Sequence, residues 1–373
     1  MKILIVRLFP YEININNYNV QEIGLAKALI RKGHQCDIVF FTKGEDRKQK
    51  IYLKSGKYIT IYWIRGINLL KNGLYGNKII KLAKNYDIIQ SSEYDQIHNL
   101  KLRKKLGKKL VIYHGPYFDK FNKGYNLKCK LFDAIFLNKK YKDVKFITKS
   151  ELATAFLKEK GFKNITTIGV GLDKDNLINN NLQNNKLLYR LKDNEKHLLY
   201  IGKIEERRNI LFLIKILKEL NKNNENIKLV LVGKGNKEYV DKVFEYSKKI
   251  NIYDKIIYIK EISQNEIRKL YEKCDVFLLP TEYEIFGMVL LEAMYFKIPV
   301  ITTMNGGSSV LIENKKNGMI CNINNIEDWK EKIEIILNNP EIKKKIEKEG
   351  YNTIEKYYTW DKLANKFLKT YET

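Results

Sequence analysis

The sequence predicts an α/β chain built as two parallel-sheet domains. Short apolar runs alternate with amphipathic segments of helical spacing, beginning with a strand-helix-strand unit within about the first 40 residues; such a unit needs a crossover and implies a parallel sheet. The alternation lapses in an Asn- and Lys-rich stretch around 173–194 and then restarts. At 373 residues the chain is longer than one hydrophobic core ordinarily serves.

Lys2-Ile3-Leu4-Ile5-Val6 reads as a buried strand. Over 20–32, Ile23, Ala26, Lys27 and Ile30 recur at helical spacing and Gly33 stops the helix. Strands are expected at 37–41, 59–64, 87–90, 109–113, 144–148 and 165–168, with helices at 95–106 and 150–160. The first domain is expected to span 1–175 and a linker 176–195. In the second domain, 196–355, strands are expected at 198–201, 228–232, 256–259, 275–279 and 299–302, and helices at 209–220, 237–249 and 264–273. Helices at 326–338, 340–357 and 360–371 follow. Ligands of such sheets bind at the carboxyl ends of the strands, so a cleft between the two domains is the expected site.

Composition narrows the class. The chain is 44% hydrophobic, which suits a globular protein, and no apolar run approaches the roughly 20 residues of a membrane span. Cys36, Cys129, Cys274 and Cys321 are scattered without a CxxC pair and read as buried thiols in a reducing, cytoplasmic compartment. Charge is uneven. Residues 1–190 hold 37 Lys+Arg against 15 Asp+Glu, and 191–373 hold 32 against 28. A basic first half attracts anionic surfaces, although a Lys-rich composition without a partner gives the same count.

The most informative stretch runs from Pro280 to Met294. The apolar run before Pro280 suits a buried strand, and after Gly287 the spacing of Met288, Leu291 and Met294 turns helical. Strand, loop and helix present free N–H groups and a positive dipole end to an anion. Glu284 in the loop and Glu292 in the helix accept hydrogen bonds from hydroxyls. A phosphate and hydroxyls together describe a nucleotide or a sugar phosphate.

Other constellations stand near strand ends. Lys203 and Arg208 lie in the loop Gly202-Lys203-Ile204-Glu205-Glu206-Arg207-Arg208-Asn209, where two cations hold a diphosphate or pair with Glu205 and Glu206. Gly233-Lys234-Gly235 gives either a close backbone approach to a ligand or an ordinary tight turn. His114 ends a strand at a Gly-Pro turn, placed to donate to a hydroxyl or to serve as a structural histidine. Asp173-Lys174-Asp175 resembles a metal-binding DxD string but falls at the expected linker, and no metal site is expected. Lys101 to Lys109 is the strongest basic run, with few aromatics, and suits a membrane or polyanion more than nucleic-acid bases.

These residues resemble retaining glycosyltransferases of family 4. The spacing Glu284-x7-Glu292 matches that family's E-x7-E signature, and Lys203 with Arg208 its phosphate-binding basic pair. Gly233-Lys234-Gly235, Pro280-Thr281, Gly306-Gly307 and Asn317-Gly318 match further landmarks, and His114, Ser150-Glu151 and Gly171-Leu172-Asp173 fit more loosely. The resemblance implies the GT-B architecture: two Rossmann-like parallel-sheet domains facing a central cleft, the first on the acceptor side, the second binding the nucleotide sugar, with the segment 356–373 returning to the first. It implies that Glu284 contacts the donor sugar, Glu292 the ribose diol, the amides of Phe286, Gly287, Met288 and Val289 the diphosphate or sugar, Gly233 and Gly235 the base, and His114 the sugar near its reacting end. The family's order of the basic pair, Arg then Lys, is reversed here. Its first-loop glycines are replaced by Asn16 and Asn17, taken as donor-binding because asparagine tolerates left-handed backbone.

The resemblance implies metal-independent, cofactor-free, retaining transfer of a sugar from a nucleoside-diphosphate donor, UDP-sugar favoured, to a saccharide or lipid-linked acceptor in cell-envelope polysaccharide or glycolipid synthesis. The basic first domain suggests peripheral contact with the inner face of the plasma membrane. Nucleic acid is not an expected partner. A polyanion-binding protein and a GT-B sugar phosphorylase are the competing readings.

Overall fold

The first apolar run, β1 (Lys2–Val6), buries Ile3 through Val6 in the middle of an eight-stranded sheet. A strand buried along its length is what helices on both faces of a parallel sheet require. In the computed structural model, residues 1–372 are described apart from 17–18, 70, 138, 178–189 and 223–225. The chain divides into two units, Met1–Asp173 with Thr359–Thr373, and Lys174–Tyr358.

In the first unit β1 is followed by α1 (Gln21–Arg31), β2 (Gln35–Thr42), β3 (Arg47–Tyr52), β4 (Tyr58–Arg65), the hairpin strands β5 (Ile67–Leu69) and β6 (Asn72–Leu74), α2 (Lys78–Ala83), β7 (Ile88–Ser92) and α3 (Ile97–Leu106). Then come β8 (Leu110–His114), α4 (Lys123–Phe136), α5 (Lys139–Lys142), β9 (Lys145–Thr148), α6 (Glu151–Glu159) and β10 (Ile165–Thr167). The sheet order is β10-β9-β8-β7-β1-β2-β4-β3. All pairings are parallel except β3 with β4. The sequence reading had no strand at β3, because Arg-Lys-Gln-Lys-Ile-Tyr is an exposed edge without an apolar run; charge on an edge strand also discourages further pairing. It also had no helix at α4.

The second unit begins with α7 (Lys174–Leu177), a single turn. The expected linker, 176–195, lies mostly outside the described residues. There follow β11 (Lys196–Ile201), α8 (Ile210–Leu220), β12 (Ile227–Val232), α9 (Lys237–Lys249), β13 (Ile256–Ile259), α10 (Gln264–Lys273), β14 (Val276–Leu279), α11 (Met288–Tyr295) and β15 (Val300–Thr303). The unit ends with α12 (Ser308–Leu311), β16 (Met319–Cys321), α13 (Ile326–Asn338) and α14 (Pro340–Tyr357), the last started by Asn339 as cap and Pro340 in the first turn. The sheet is parallel throughout, in the order β13-β12-β11-β14-β15-β16. Strand order therefore reverses between β11 and β14, the kind of switch point at which open α/β sheets bind ligands.

The final helix, α15 (Trp360–Glu372), belongs to the first unit. Trp360 occupies the space above Gly24 and Gly171, where an added Cβ would come within 2.2 and 2.5 Å of its ring. Arg31 pairs with Asp361 at 2.7 Å, and the Tyr371 hydroxyl donates to Gln90 at 2.5 Å. All four cysteines are buried and unpaired. No helix among the described residues is long and apolar enough to cross a membrane.

Candidate active site

In the second unit, the loops leaving β11 and β14 meet at the switch point. Their backbones are stitched together. The Thr281 hydroxyl lies 3.1 Å from the Arg207 carbonyl and 3.0 Å from that of Tyr283, the Glu282 amide reaches the Arg207 carbonyl at 3.4 Å, and Arg207 Nη1 donates to Tyr283 O at 3.0 Å. This stitching delivers Arg208 from the first loop to Glu284 on the second, where the guanidinium donates to the carboxylate. Both side chains are only 13% exposed. Burial works against the Arg208 charge, but Glu284 and Tyr200 outweigh it and hold the guanidinium above its ordinary value. Lys203 is exposed on the first loop, whose path is fixed by the Tyr200 hydroxyl donating to its carbonyl at 2.8 Å.

Gly287, with φ at +73°, caps α11, so Met288 and Val289 supply its first N–H groups while Phe286 is buried beneath. Glu292 follows one turn later and is buried. The Tyr271 hydroxyl donates to its Oε2 at 3.2 Å, and burial pushes the carboxyl up to about 8.

Two glycine pairs let loops approach this point. A Cβ on Gly307 would lie 1.6 Å from the Phe286 carbonyl oxygen, so the loop after β15 rests directly on the backbone leading into α11. A Cβ on Gly233 would lie 1.9 Å from the Gly202 carbonyl oxygen, and Gly235 bridges to Ile204. The close approach that Gly233 and Gly235 permit is thus to the cation loop itself.

In the first unit, His114 ends β8 and is fully buried. Its Nδ1 lies 2.7 Å from Glu93 Oε2, and its ring packs edge-on to Tyr94. Glu93 follows β7 with φ at +51° and accepts from the Gly115 amide at 3.0 Å, with the Lys149 ammonium 3.7 Å away. Burial opposes the Glu93 charge, but Lys149, His114 and the Gly115 amide together hold the carboxyl below its usual value. Asn16 stands in the loop after β1, where its amide donates to Asn14 Oδ1 at 3.0 Å; Asn17 lies outside the described residues. Asp173 of the DxD string pairs with Lys27 at 2.9 Å, and Lys174 with Glu355 at 3.1 Å.

Lys203, Arg208, Gly233, Gly235, Glu284, 286–289 and Glu292 thus share one unit and the carboxyl end of one sheet, whereas His114 and Asn16 sit at the corresponding end of the other. Sequence reasoning missed Glu93, Arg207 and Tyr271. The signal for Glu93 was available: it is the first residue past a strand in an α/β pattern.

Comparison with known proteins extends the picture. Residues 184–353 match the family model for glycosyl transferases group 1. The chain is 23% identical to an uncharacterized glycosyltransferase of Methanocaldococcus jannaschii, with 94% of this chain and 92% of that one covered. It is 28% identical over 211 residues to the capsular polysaccharide biosynthesis glycosyltransferase CapM of Staphylococcus aureus, about half of each chain. Among solved structures, Anabaena HepE in complex with UDP and glucose superposes over the whole of both chains with a TM-score of 0.71 at 14% identity. The fold is GT-B, and these likenesses support a GT-B glycosyltransferase.

Proposed function

We propose that the chain is a retaining glycosyltransferase of family 4, moving a sugar from a nucleoside-diphosphate donor to an acceptor hydroxyl. One observation carries the reading: Arg208 and Glu284 meet at the β11/β14 switch point with Glu292 one turn into the adjoining helix. Lys203, Arg208 and the first amides of α11 would neutralise the diphosphate as it departs. Glu284 would hold the sugar hydroxyls and Glu292 the ribose diol; the roles of His114 toward the sugar and of Asn16 toward the donor phosphate are those the family resemblance implies. Gly233 and Gly235 would border the base. The acceptor oxygen bonds to the anomeric carbon as the bond to the diphosphate breaks, and the acceptor proton passes to a departing phosphate oxygen on the same face. With two cations on the leaving group, metal is not required. UDP-sugars are the favoured donors, as UDP and glucose are bound by HepE. A saccharide or lipid-linked acceptor of the cell envelope fits the basic first half and the partial likeness to CapM.

A thermal-shift screen of UDP-, GDP- and ADP-sugars tests the donor class, because a ligand of the native state raises the melting temperature by mass action. NMR of the product from an α-linked donor reads the stereochemistry. Absence of any shift, or a β-linked product, contradicts the proposal.

A further inference from the structure

Helix α4 is apolar on two faces, and among the described residues only one of them is covered. Cys129 and Phe132 are buried in the core that also takes Leu102 from α3. On the other side Leu127, Leu131 and Ile135 are 58%, 55% and 68% exposed. Their i, i+4, i+8 spacing makes one ridge about 12 Å long. Phe118 and Phe121, also exposed, extend the apolar surface back along the loop from β8, the strand that ends in His114.

The charge around this ridge has one sign. Lys123 stands one turn before it, Lys130 beside it, and the Lys120 ammonium lies 5.2 Å over the Phe121 ring. The two carboxylates of the segment are withdrawn: Asp119 is buried and accepts from the Phe121 amide at 2.9 Å, and Asp133 pairs with Lys160. No exposed residue of 118–136 is acidic. The C-terminal end of α3 adds Lys104, Lys105 and the following Lys108 and Lys109, all exposed, to the same unit.

We infer that α4 and the loop before it dock on an anionic lipid bilayer, with Leu127, Leu131 and Ile135 entering the headgroup–acyl boundary and the lysines meeting lipid phosphates. An amphipathic helix with aliphatic and aromatic side chains bordered by lysines binds such an interface through buried apolar area and charge together. A water-facing helix has no reason to carry the ridge, and a protein partner alone does not account for the cationic border. The docked face begins a short loop beyond His114, so it would bring a lipid-linked acceptor to the strand end where the proposed chemistry needs it. The inference rests on the proposed transferase only for that purpose.

Flotation of the purified chain with phosphatidylcholine vesicles, with and without phosphatidylglycerol, tests it in the absence of donor and acceptor. The wild type is expected to float with the anionic vesicles alone. Leu131→Glu with Ile135→Glu is expected to weaken binding about tenfold or more, and Lys123→Glu with Lys130→Glu to weaken it and flatten its salt dependence. These positions are exposed, so both variants should keep the wild-type melting temperature. Leu131→Trp should show a blue-shifted emission on vesicles. Equal flotation of wild type and Leu131→Glu/Ile135→Glu, no flotation of the wild type, or a dimer broken by these substitutions without any vesicle binding, each overturns the inference. Donor-induced thermal shifts measured without vesicles read the transferase proposal separately.

Discussion

The guanidinium of Arg208 donates to the carboxylate of Glu284 across 76 positions of sequence. The cation proposed for the diphosphate and the carboxylate proposed for the sugar thus neutralise each other. Such a pair holds the two loops in register. It also means that a donor must exchange this contact for its own, so the pair sets both stability and affinity.

Arg208→Ala and Lys203→Ala are each expected to reduce kcat/KM by roughly 2–4 kcal/mol of transition-state stabilisation. Arg208→Lys keeps the charge but loses the fork, and should fall between. Steady-state kinetics on the donor found by thermal shift measures this. Wild-type turnover in Arg208→Ala would remove that residue from the chemistry.

Glu292 makes a pH prediction. Its carboxyl titrates near 4.5 when solvated and is pushed up to about 8 by burial here. Below pH 4.5 it is protonated in both states, and its favourable contribution is complete. As pH rises from about 4.5 to about 8 the unfolded chain releases a proton that the folded chain retains, so stability falls. Glu292→Gln should therefore gain on the wild type with rising pH, by on the order of a few kcal/mol at pH 8, while donor affinity drops. Urea denaturation at pH 5 and pH 8 checks this; parallel curves for the two proteins at both values would refute it.

Glu93 is expected to position His114. Glu93→Ala leaves Lys149 and His114 without their carboxylate in the interior and should cost about 3 kcal/mol of stability. Glu93→Gln retains an acceptor for the Gly115 amide and should cost less. In Glu93→Gln the rate should fall while UDP affinity stays near wild type, because the proposed diphosphate ligands lie on the other unit. A variant with unchanged kcat would make the contact purely structural.

Gly307→Ala places a methyl group where the Phe286 carbonyl oxygen stands. Relief requires the loop after β15 to back away from the start of α11, at about 1–3 kcal/mol. Weaker UDP binding should accompany the lower melting temperature; unchanged UDP affinity would separate this loop from the donor site.

Much of this was legible in the sequence. The parallel sheets showed because buried parallel strands read as continuous apolar runs; the strand order that sets Arg208 and Glu284 at neighbouring strand ends did not, since it depends on how the strands pair. The contact between the two residues was not legible, since it depends on Thr281 and Arg207 tying two loops together through backbone carbonyls. The contact of Glu93 with His114 was hidden for a similar reason: His114 lies on the next strand, and no local spacing links the two. The strand β3 was missed because an exposed edge needs no hydrophobicity, and the outer face of α4 was missed with the helix itself, whose apolar spacing is interrupted by Asn126, Lys128 and Lys130.

The central claim is that the carboxyl ends of β11 and β14 hold the donor's diphosphate. Calorimetric titration of UDP into the wild type and into Lys203→Ala/Arg208→Ala, both shown folded by circular dichroism, tests it most directly. Saturable one-to-one binding by the wild type, weakened at least about a hundredfold in the double variant as expected for two lost charge-assisted contacts, is the predicted result. UDP binding of equal strength by both proteins contradicts the account.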